Sequence, residues 1–211
     1  MMAPSASQAL SILRDSSLFQ WYLIPFLLVL IHILFTEIGK KNWPLICGAL
    51  AFWGMEWHAE IWNAVVFRIS GYAPLWGTPG DTAYQILIGL NIEISMMFFI
   101  MGFAAVRVLP EERSMKIAGL PNRPLIAAVM AALCIAVEAV LNGIGALTWE
   151  YWWWGAKFPV LLFLVAYWPL FLVAYRVYDM GTGRSRAITL AAIYGFDAVL
   201  IVIFGVLLKW I

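Results

Sequence analysis

The sequence predicts an all-α membrane protein, a transmembrane helical bundle that forms one integral-membrane domain over residues 1–211. Hydrophobic residues make up 64% of the chain and charged residues only 12%, whereas a soluble domain is about 25% charged. The mean hydropathy is +0.89. Several apolar stretches also reach the length of about 18 residues that a membrane-crossing helix requires.

Six spans are predicted, and turn residues or charged loops separate them. They cover approximately residues 18–38, 44–68, 82–107, 124–148, 157–177 and 187–210. Glycines and prolines concentrate in the loop at 71–81, which divides the second span from the third. The segment at 110–124 is the most charged part of the chain and divides the third span from the fourth.

The distribution of basic residues predicts the orientation of the bundle in the membrane. The three segments at 39–43, 107–123 and 176–186 contain nine lysines and arginines, and the opposite side contains four. Basic loops remain in the cytoplasm, so both termini are expected on the outer side. The short loops favour a bacterial inner membrane as the location.

Seven tryptophans are predicted to lie at the outer interface. They are Trp21, Trp76, Trp149, Trp152, Trp153, Trp154 and Trp210. Tryptophan is enriched at membrane–water interfaces, where its ring sits at the level of the headgroups. An aromatic belt is one interpretation of this set, and a lid over a site that opens to the outer leaflet is the other.

Carboxyl groups inside the predicted spans are the strongest functional signal in the sequence. At a rise of about 1.5 Å per residue, Glu56, Glu93, Glu138 and Asp197 all lie near the middle of the bilayer. Glu60 lies one helical turn further out. No lysine or arginine is predicted at that depth, and an ionisable residue inside a membrane is costly unless it has a function. We therefore predict a shared polar cavity, with scattered contacts between helices as the alternative.

Polar and aromatic side chains at helical spacing surround these acids. Trp53, Glu60 and Asn63 share one face of the second span with Glu56. The full set expected to bind substrate or hold the acids comprises Trp53, Trp57, His58, Asn63, Met96, Asn142, Tyr167, Trp168 and Tyr194. His58 faces away from the acids, so a packing role and a proton-relay role both remain open. Pro169 predicts a kink in the fifth span. The kink is either simple packing geometry or a bend that opens the cavity and places Tyr167 or Trp168 against a ligand.

Carboxyl groups without cationic partners favour acid–base chemistry. Burial disfavours a charged carboxylate, and two carboxyl groups close together disfavour a second charge. Such a pair can donate a proton from one member and remove a proton with the other. Nearby aromatic faces can stabilise a cationic intermediate. This chemistry fits protonation of an alkene and requires no metal or cofactor.

Composition and motifs weaken several other functions. A net charge of +1 gives no support for nucleic-acid binding. The chain has two histidines and no Glu-x-x-His sequence, which argues against a histidine-box or ferritin-like metal site. It also lacks an aspartate-rich diphosphate motif and the usual nucleotide-binding fingerprints.

The segment Trp53-Gly54-Met55-Glu56-Trp57, together with Phe196-Asp197, resembles the membrane-bound terpene cyclases of meroterpenoid pathways. Those enzymes are small all-helical proteins with two widely separated acids. The resemblance implies protonation of an epoxide or alkene by these acids.

Two further groups of isoprenoid enzymes are similar in other residues. Glu138, the 151–154 segment, Pro159 and Trp168 look like parts of carotenoid hydratases and lycopene-cyclase-like proteins. His58, Glu60 and Glu93 resemble residues of the emopamil-binding sterol isomerases. All of these resemblances imply proton chemistry on an isoprenoid lipid.

Three functions remain open from the sequence. The first is an integral-membrane cyclase, hydratase or isomerase whose substrate is an isoprenoid or another membrane lipid. The second is a proton- or cation-coupled carrier, in which the same acids bind the ion. The third is a non-catalytic membrane subunit whose acids bind neighbouring spans.

Overall fold

The computed structural model describes residues 1–211 and contains seven α-helices. They are α1 (Pro4–Ser11), α2 (Leu23–Gly39), α3 (Trp43–Ser70), α4 (Ile92–Arg107), α5 (Asn122–Gly143), α6 (Trp168–Tyr178) and α7 (Gly183–Leu200). Ser16–Leu18 forms a short 3-10 helix. Two π-helical segments, Leu162–Tyr167 and Ile201–Leu207, adjoin α6 and α7.

Two small antiparallel hairpins complete the structure. The first pairs β1 (Gln85–Leu87) with β2 (Leu90–Asn91), directly before α4. The second pairs β3 (Lys116–Ile117) with β4 (Leu120–Pro121), directly before α5. The predicted all-helical class therefore holds for most of the chain, with these short hairpins added in the loops.

Two helices are long and apolar enough to cross a membrane. They are Asn122–Gly143 and Gly183–Leu207, both with a hydropathy of 2.4 over their most apolar window. Only 11% of each window is buried inside the protein, so their apolar side chains face outward, as lipid contact requires. Leu23–Gly39 and Leu162–Tyr178 are apolar but shorter. The predicted count of six spans is therefore reduced to two by length and composition.

The third predicted span shows why the count differs. Its helix begins at Ile92 and not at residue 82, because residues 85–91 form the first hairpin. The Asn91 side chain accepts a hydrogen bond from the Ile94 backbone N–H at 2.8 Å and caps the helix. Asparagine is among the preferred residues at this position. Glu93 therefore lies in the first turn of α4 and not in the middle of a span.

Helix α3 is the centre of the bundle. It packs against α2, α4, α6 and α7, and 13 of its 28 residues are buried. The contact with α4 is close: a Cβ atom added at Gly102 would lie 2.8 Å from the Ala49 carbonyl oxygen. Small residues allow such an approach between helix backbones. The acids of α3 are therefore surrounded by other helices.

The loops at the two ends of the bundle make separate sets of contacts. At one end, the Ala3 N–H donates to the Tyr72 carbonyl at 2.9 Å, and the Tyr151 hydroxyl donates to the Ala73 carbonyl at 2.8 Å. At the other end, Arg123 pairs with Asp179 at 2.9 Å. The amino-terminal segment therefore lies at the same end as the 71–91 and 144–158 loops.

Pro169, where a kink is predicted, lies just after the junction of two helical forms. Proline has no N–H with which to bind the carbonyl of Val165. The chain forms a π-helix over Leu162–Tyr167 and then begins α6 at Trp168. π-helical turns often occur at functional sites, and this one contributes side chains to the cavity described next.

Candidate functional site

A cavity of about 260 Å³ lies between α3, α4, α5 and the π-helical segment before α6. Twenty residues line it, and 16 of them are hydrophobic. The polar members include Glu56 and Glu60 from α3 and Glu138 from α5. The structure thus brings together Glu56 and Glu138, which the sequence placed at one depth, and Glu60, which it placed one helical turn further out.

The three carboxyl groups have few partners. Both oxygens of Glu56 are buried without a hydrogen bond, as are Glu60 Oε2 and Glu138 Oε2. The indole of Trp76 donates from Nε1 to Glu60 Oε1 at 2.7 Å. Unpartnered buried polar atoms are uncommon in folded proteins and call for an explanation.

No lysine or arginine lines the cavity. A carboxylate charge among apolar side chains is strongly disfavoured unless a cation or hydrogen-bond donors stabilise it. Glu56 has neither, whereas Glu60 has the Trp76 indole as a donor. Burial therefore favours the neutral form of both α3 acids, and the Trp76 indole makes Glu60 the more readily ionised of the two.

Glu138 lies on the opposite wall of the cavity from the α3 acids. It lies beside the Tyr167 hydroxyl, and Tyr167 belongs to the π-helical segment. Tyr167 is buried and lines the cavity, as predicted for a residue that contacts a ligand. A bound molecule would therefore contact carboxyl groups on both sides.

Asp197 is buried near Glu56 but does not line the cavity. Its Oδ1 binds His58 Nδ1 at 2.9 Å, and Trp62 Nε1 donates to His58 Nε2 at 3.1 Å. Because Nε2 accepts this bond, the neutral ring carries its proton on Nδ1 and donates it to Asp197. His58 therefore connects the protein surface with a carboxyl group behind the cavity.

Glu93 lies apart from the other acids, contrary to the sequence prediction. Its carboxylate accepts hydrogen bonds from the Tyr22 hydroxyl, from Thr82 Oγ1 at 2.6 Å and from the Ala83 N–H at 2.7 Å. A fully bonded carboxylate at a helix N-terminus is stabilised by its local structure. Met96, predicted beside it, does not line the cavity, whereas Met97 does.

The polar residues expected to hold the acids bind the backbone instead. Asn63 donates to the Trp76 carbonyl at 2.7 Å and accepts from the Leu75 N–H at 2.8 Å. Asn142 donates to the Leu147 carbonyl at 3.0 Å. These three bonds position the loops that carry Trp76 and Leu147 into the cavity. The predicted hydrogen bond from Asn142 to an acid is therefore not formed.

Tyr194 likewise binds backbone, since its hydroxyl donates to the Leu50 carbonyl at 2.8 Å. Three predicted aromatic ligands also lie outside the cavity. Trp53 donates to Ser95 Oγ at 3.0 Å, Trp168 donates to the Pro124 carbonyl at 3.2 Å, and the Trp57 indole is buried without a partner. Their side chains pack the helices together and do not shape the pocket.

Trp76 lines the cavity, although the sequence places it among the tryptophans of the outer interface. Its ring stacks on Trp154 with the centroids 5.9 Å apart, and Trp154 is buried. The lid interpretation therefore fits these two tryptophans, while exposed Trp21 and Trp152 fit an interfacial belt. Gly89 makes room for this loop: a Cβ atom there would lie 2.7 Å from the Trp76 carbonyl oxygen.

Helical spacing in α5 indicates which of its residues form the cavity wall. Met130, Cys134 and Glu138 recur at intervals of four residues and all line the cavity. Side chains four residues apart lie on the same face of a helix. Extending this four-residue interval from Glu138 towards the start of α5 identifies Cys134 and Met130 as wall residues. No comparable pattern identifies Trp76, because it lies in a loop.

Comparison with known proteins places the chain in a membrane protein family. Residues 3–206 match the model of a family described as an uncharacterized membrane protein family. The chain belongs to that family, and its membrane character is thereby supported. The three isoprenoid enzyme families that the motifs resemble are not supported by this match.

Two relatives come from the archaeon Archaeoglobus fulgidus. One uncharacterized protein is 54% identical over 211 residues, which is the whole of both chains. A second uncharacterized protein is 55% identical over 53 residues, which cover 25% of this chain and 95% of that protein. These archaeal relatives give no support to the predicted bacterial inner membrane. No solved structure matches the chain.

Proposed function

We propose that this protein is an integral-membrane enzyme that uses carboxyl groups for acid–base chemistry on an isoprenoid-type lipid. The observation that carries the proposal is the convergence of Glu56, Glu60 and Glu138 on an apolar cavity without a cation. Groups of this kind cost stability and are retained where they have a function. Cyclisation, hydration and isomerisation of such a lipid can all begin with the transfer of a proton from a carboxyl group to the substrate.

The reaction begins with proton transfer to a carbon–carbon double bond. The neutral carboxyl group of Glu56 donates its proton to one alkene carbon, which leaves a carbocation on the other and a carboxylate on Glu56. The ring faces of Trp76 and Tyr167 would stabilise the cation. A carboxylate, Glu60 or Glu138, then removes a neighbouring proton and so forms a new double bond. In a hydration, water adds to the cation and the carboxylate takes its proton.

Deuterium transfer tests this function without knowledge of the product. Membranes that contain the protein are incubated in heavy water with a panel of isoprenoid hydrocarbons and their epoxides, and mass spectrometry measures deuterium in the recovered lipids. Wild-type protein should introduce deuterium at carbon. Glu60→Gln and Glu138→Gln should lower the rate by roughly 100-fold or more, the usual contribution of a general acid or base.

Glu93→Gln is the matched control, because Glu93 carries the same substitution outside the cavity. It should leave deuterium transfer unchanged. Equal rates in the wild-type protein, Glu60→Gln and Glu138→Gln would contradict the proposal.

A proton-coupled carrier is the second candidate. It is favoured by the series of titratable groups that runs from Glu56 through Asp197 to His58, which is partly exposed. Such a series is typical of proton relays in membrane pumps and transporters. Under this candidate, protein in lipid vesicles would move protons across the bilayer while no lipid acquires deuterium at carbon.

A further inference from the structure

Helices α4 and α5 form two walls of the cavity but do not pack against each other along their length. Helix α4 packs against α2, α3 and α6, whereas α5 packs against α6 and its π-helical segment. Between the two walls, Cys134 Sγ lies 3.7 Å from Met101 Sδ. A gap therefore remains between α4 and α5 beside this contact.

The side chains that border the gap contact both the cavity and the outer surface of the protein. Met97, Leu133 and Val137 line the cavity and are also exposed, by 40%, 55% and 55% of their surfaces. All three are apolar, and the latter two lie in α5, which has the length and composition of a membrane span. Within a membrane, this border would contact hydrocarbon and not water.

The cavity is small for the ligand class that its lining suits. Pockets that enclose a drug-sized ligand usually measure about 300–1,000 Å³, whereas this cavity measures about 260 Å³. A long isoprenoid or acyl lipid would not fit inside it entirely. The lateral gap allows the remainder of such a chain to stay outside, among the lipids of the bilayer.

We propose that a long-chain lipid enters directly from the bilayer through the gap between α4 and α5, with its hydrocarbon end first. This inference rests on the function proposed above and adds a specificity to it. The end of the chain lies beside Glu56, Glu60 and Glu138, and the polar head remains in the bilayer. The double bond that reacts is consequently one near the end of the chain.

Photolabelling in phosphatidylcholine vesicles tests the entry route independently of turnover. The probe is trifluoromethyl-phenyldiazirine, a small apolar carbene precursor that dissolves in the bilayer core. We expect the probe to label Tyr167, which is buried and lines the cavity. Val137→Trp should lower that labelling by roughly tenfold, because the large indole side chain occupies the gap.

Val140→Trp is the matched control. Val140 lies on α5 and is 65% exposed, but it does not line the cavity. It should leave the labelling of Tyr167 unchanged. Equal labelling in Val137→Trp and the wild-type protein, or none at Tyr167 in the wild type, would overturn the entry route.

Two fatty-acid probes test which end of the chain enters. One carries the diazirine at its methyl end and the other carries it next to the carboxyl group. Only the first should label Tyr167. Equal labelling by both probes would overturn entry of the hydrocarbon end first.

Glu60→Gln separates this inference from the proposed function. The variant should be labelled at Tyr167 like the wild type, since the gap is unaltered, while its deuterium transfer is lost. Normal labelling with undiminished deuterium transfer in both Glu60→Gln and Glu138→Gln would leave the entry route standing and refute the acid–base function. Loss of deuterium transfer in Glu60→Gln, together with labelling of Val137→Trp equal to that of the wild type, would support the acid–base function and refute the entry route.

Discussion

Two regions of the bundle hold buried carboxyl groups in opposite ways. At one end, Glu37 accepts hydrogen bonds from Lys40 at 3.0 Å, Asn42 at 2.9 Å and Arg107 at 2.7 Å. In the cavity, Glu56 is equally buried, with 2% of its surface exposed, and has no hydrogen-bond partner. Burial alone therefore does not distinguish a structural acid from a functional one.

The difference lies in the partners. A buried carboxylate with a cation and several donors stabilises the fold or costs it little, whereas a buried carboxyl group without partners costs free energy. Proteins retain such costs mainly where activity requires them. The paired end of the bundle is thus expected to contribute stability, and the unpaired cavity is expected to contribute function.

The largest effect is expected from Asp179→Ala at the paired end. Arg123 donates to Asp179 Oδ2 at 3.0 Å from Nε and to Oδ1 at 2.9 Å from Nη2, and its side chain is 12% exposed. Without Asp179 this nearly buried charge has no anion. Removing one partner of a buried pair lowers the free energy of unfolding by roughly 3 kcal/mol or more.

Unfolding of the purified variant in detergent measures that loss. Glu111→Ala is the control, because Glu111 is exposed and forms no ion pair. Equal stabilities of Asp179→Ala and the wild type would remove the contrast between the two regions.

A smaller loss is expected from Arg107→Ala. The Arg107 side chain is 44% exposed, and Glu37 keeps Lys40 and Asn42 after the change. A half-exposed pair with remaining donors contributes about 1 kcal/mol. The same unfolding measurement should show this loss, and added salt should reduce it. A loss as large as that of Asp179→Ala would mean that Lys40 and Asn42 do not compensate.

The smallest effect, with the opposite sign, is expected from Glu56→Leu. Leucine has a similar volume and removes two buried oxygens that have no partner. We expect the free energy of unfolding to rise by about 1 kcal/mol, while deuterium transfer is lost. Glu56→Gln, which keeps buried polar atoms, should not be stabilised. A destabilised Glu56→Leu variant would show that Glu56 supports the fold as the paired acids do.

Local pattern was sufficient to locate the acids of α3, α5 and α7. Glu56 lies at the middle of α3, whereas Glu138 and Asp197 lie in the later parts of α5 and α7. Counting residues from the start of an apolar segment places all three inside a helix. The same count misplaces Glu93, because residues 85–91 are apolar enough to be included in the predicted span but form a hairpin. The N-cap sequence Asn91-Ile92-Glu93 was the signal that marks the true start of α4.

Packing accounts for the parts of the site that counting missed. Trp76 binds Glu60 from a loop 16 residues away, and Asn63 holds that loop in place. Asp197 lies near Glu56 but pairs with His58 on another side of α3. Counting residues along a helix gives the depth of a residue in the span, but it does not give the direction in which its side chain points around the bundle.

The amino-acid sequence was enough to predict a helical membrane protein with carboxyl groups inside its apolar segments, because hydropathy and helical period are properties of neighbouring residues. It could not show that Glu56, Glu60 and Glu138 share one cavity, that Trp76 covers it, or that α4 and α5 leave a gap. Those features depend on which helices pack side by side. That choice is made by contacts such as Gly102 against Ala49, between residues far apart in the chain.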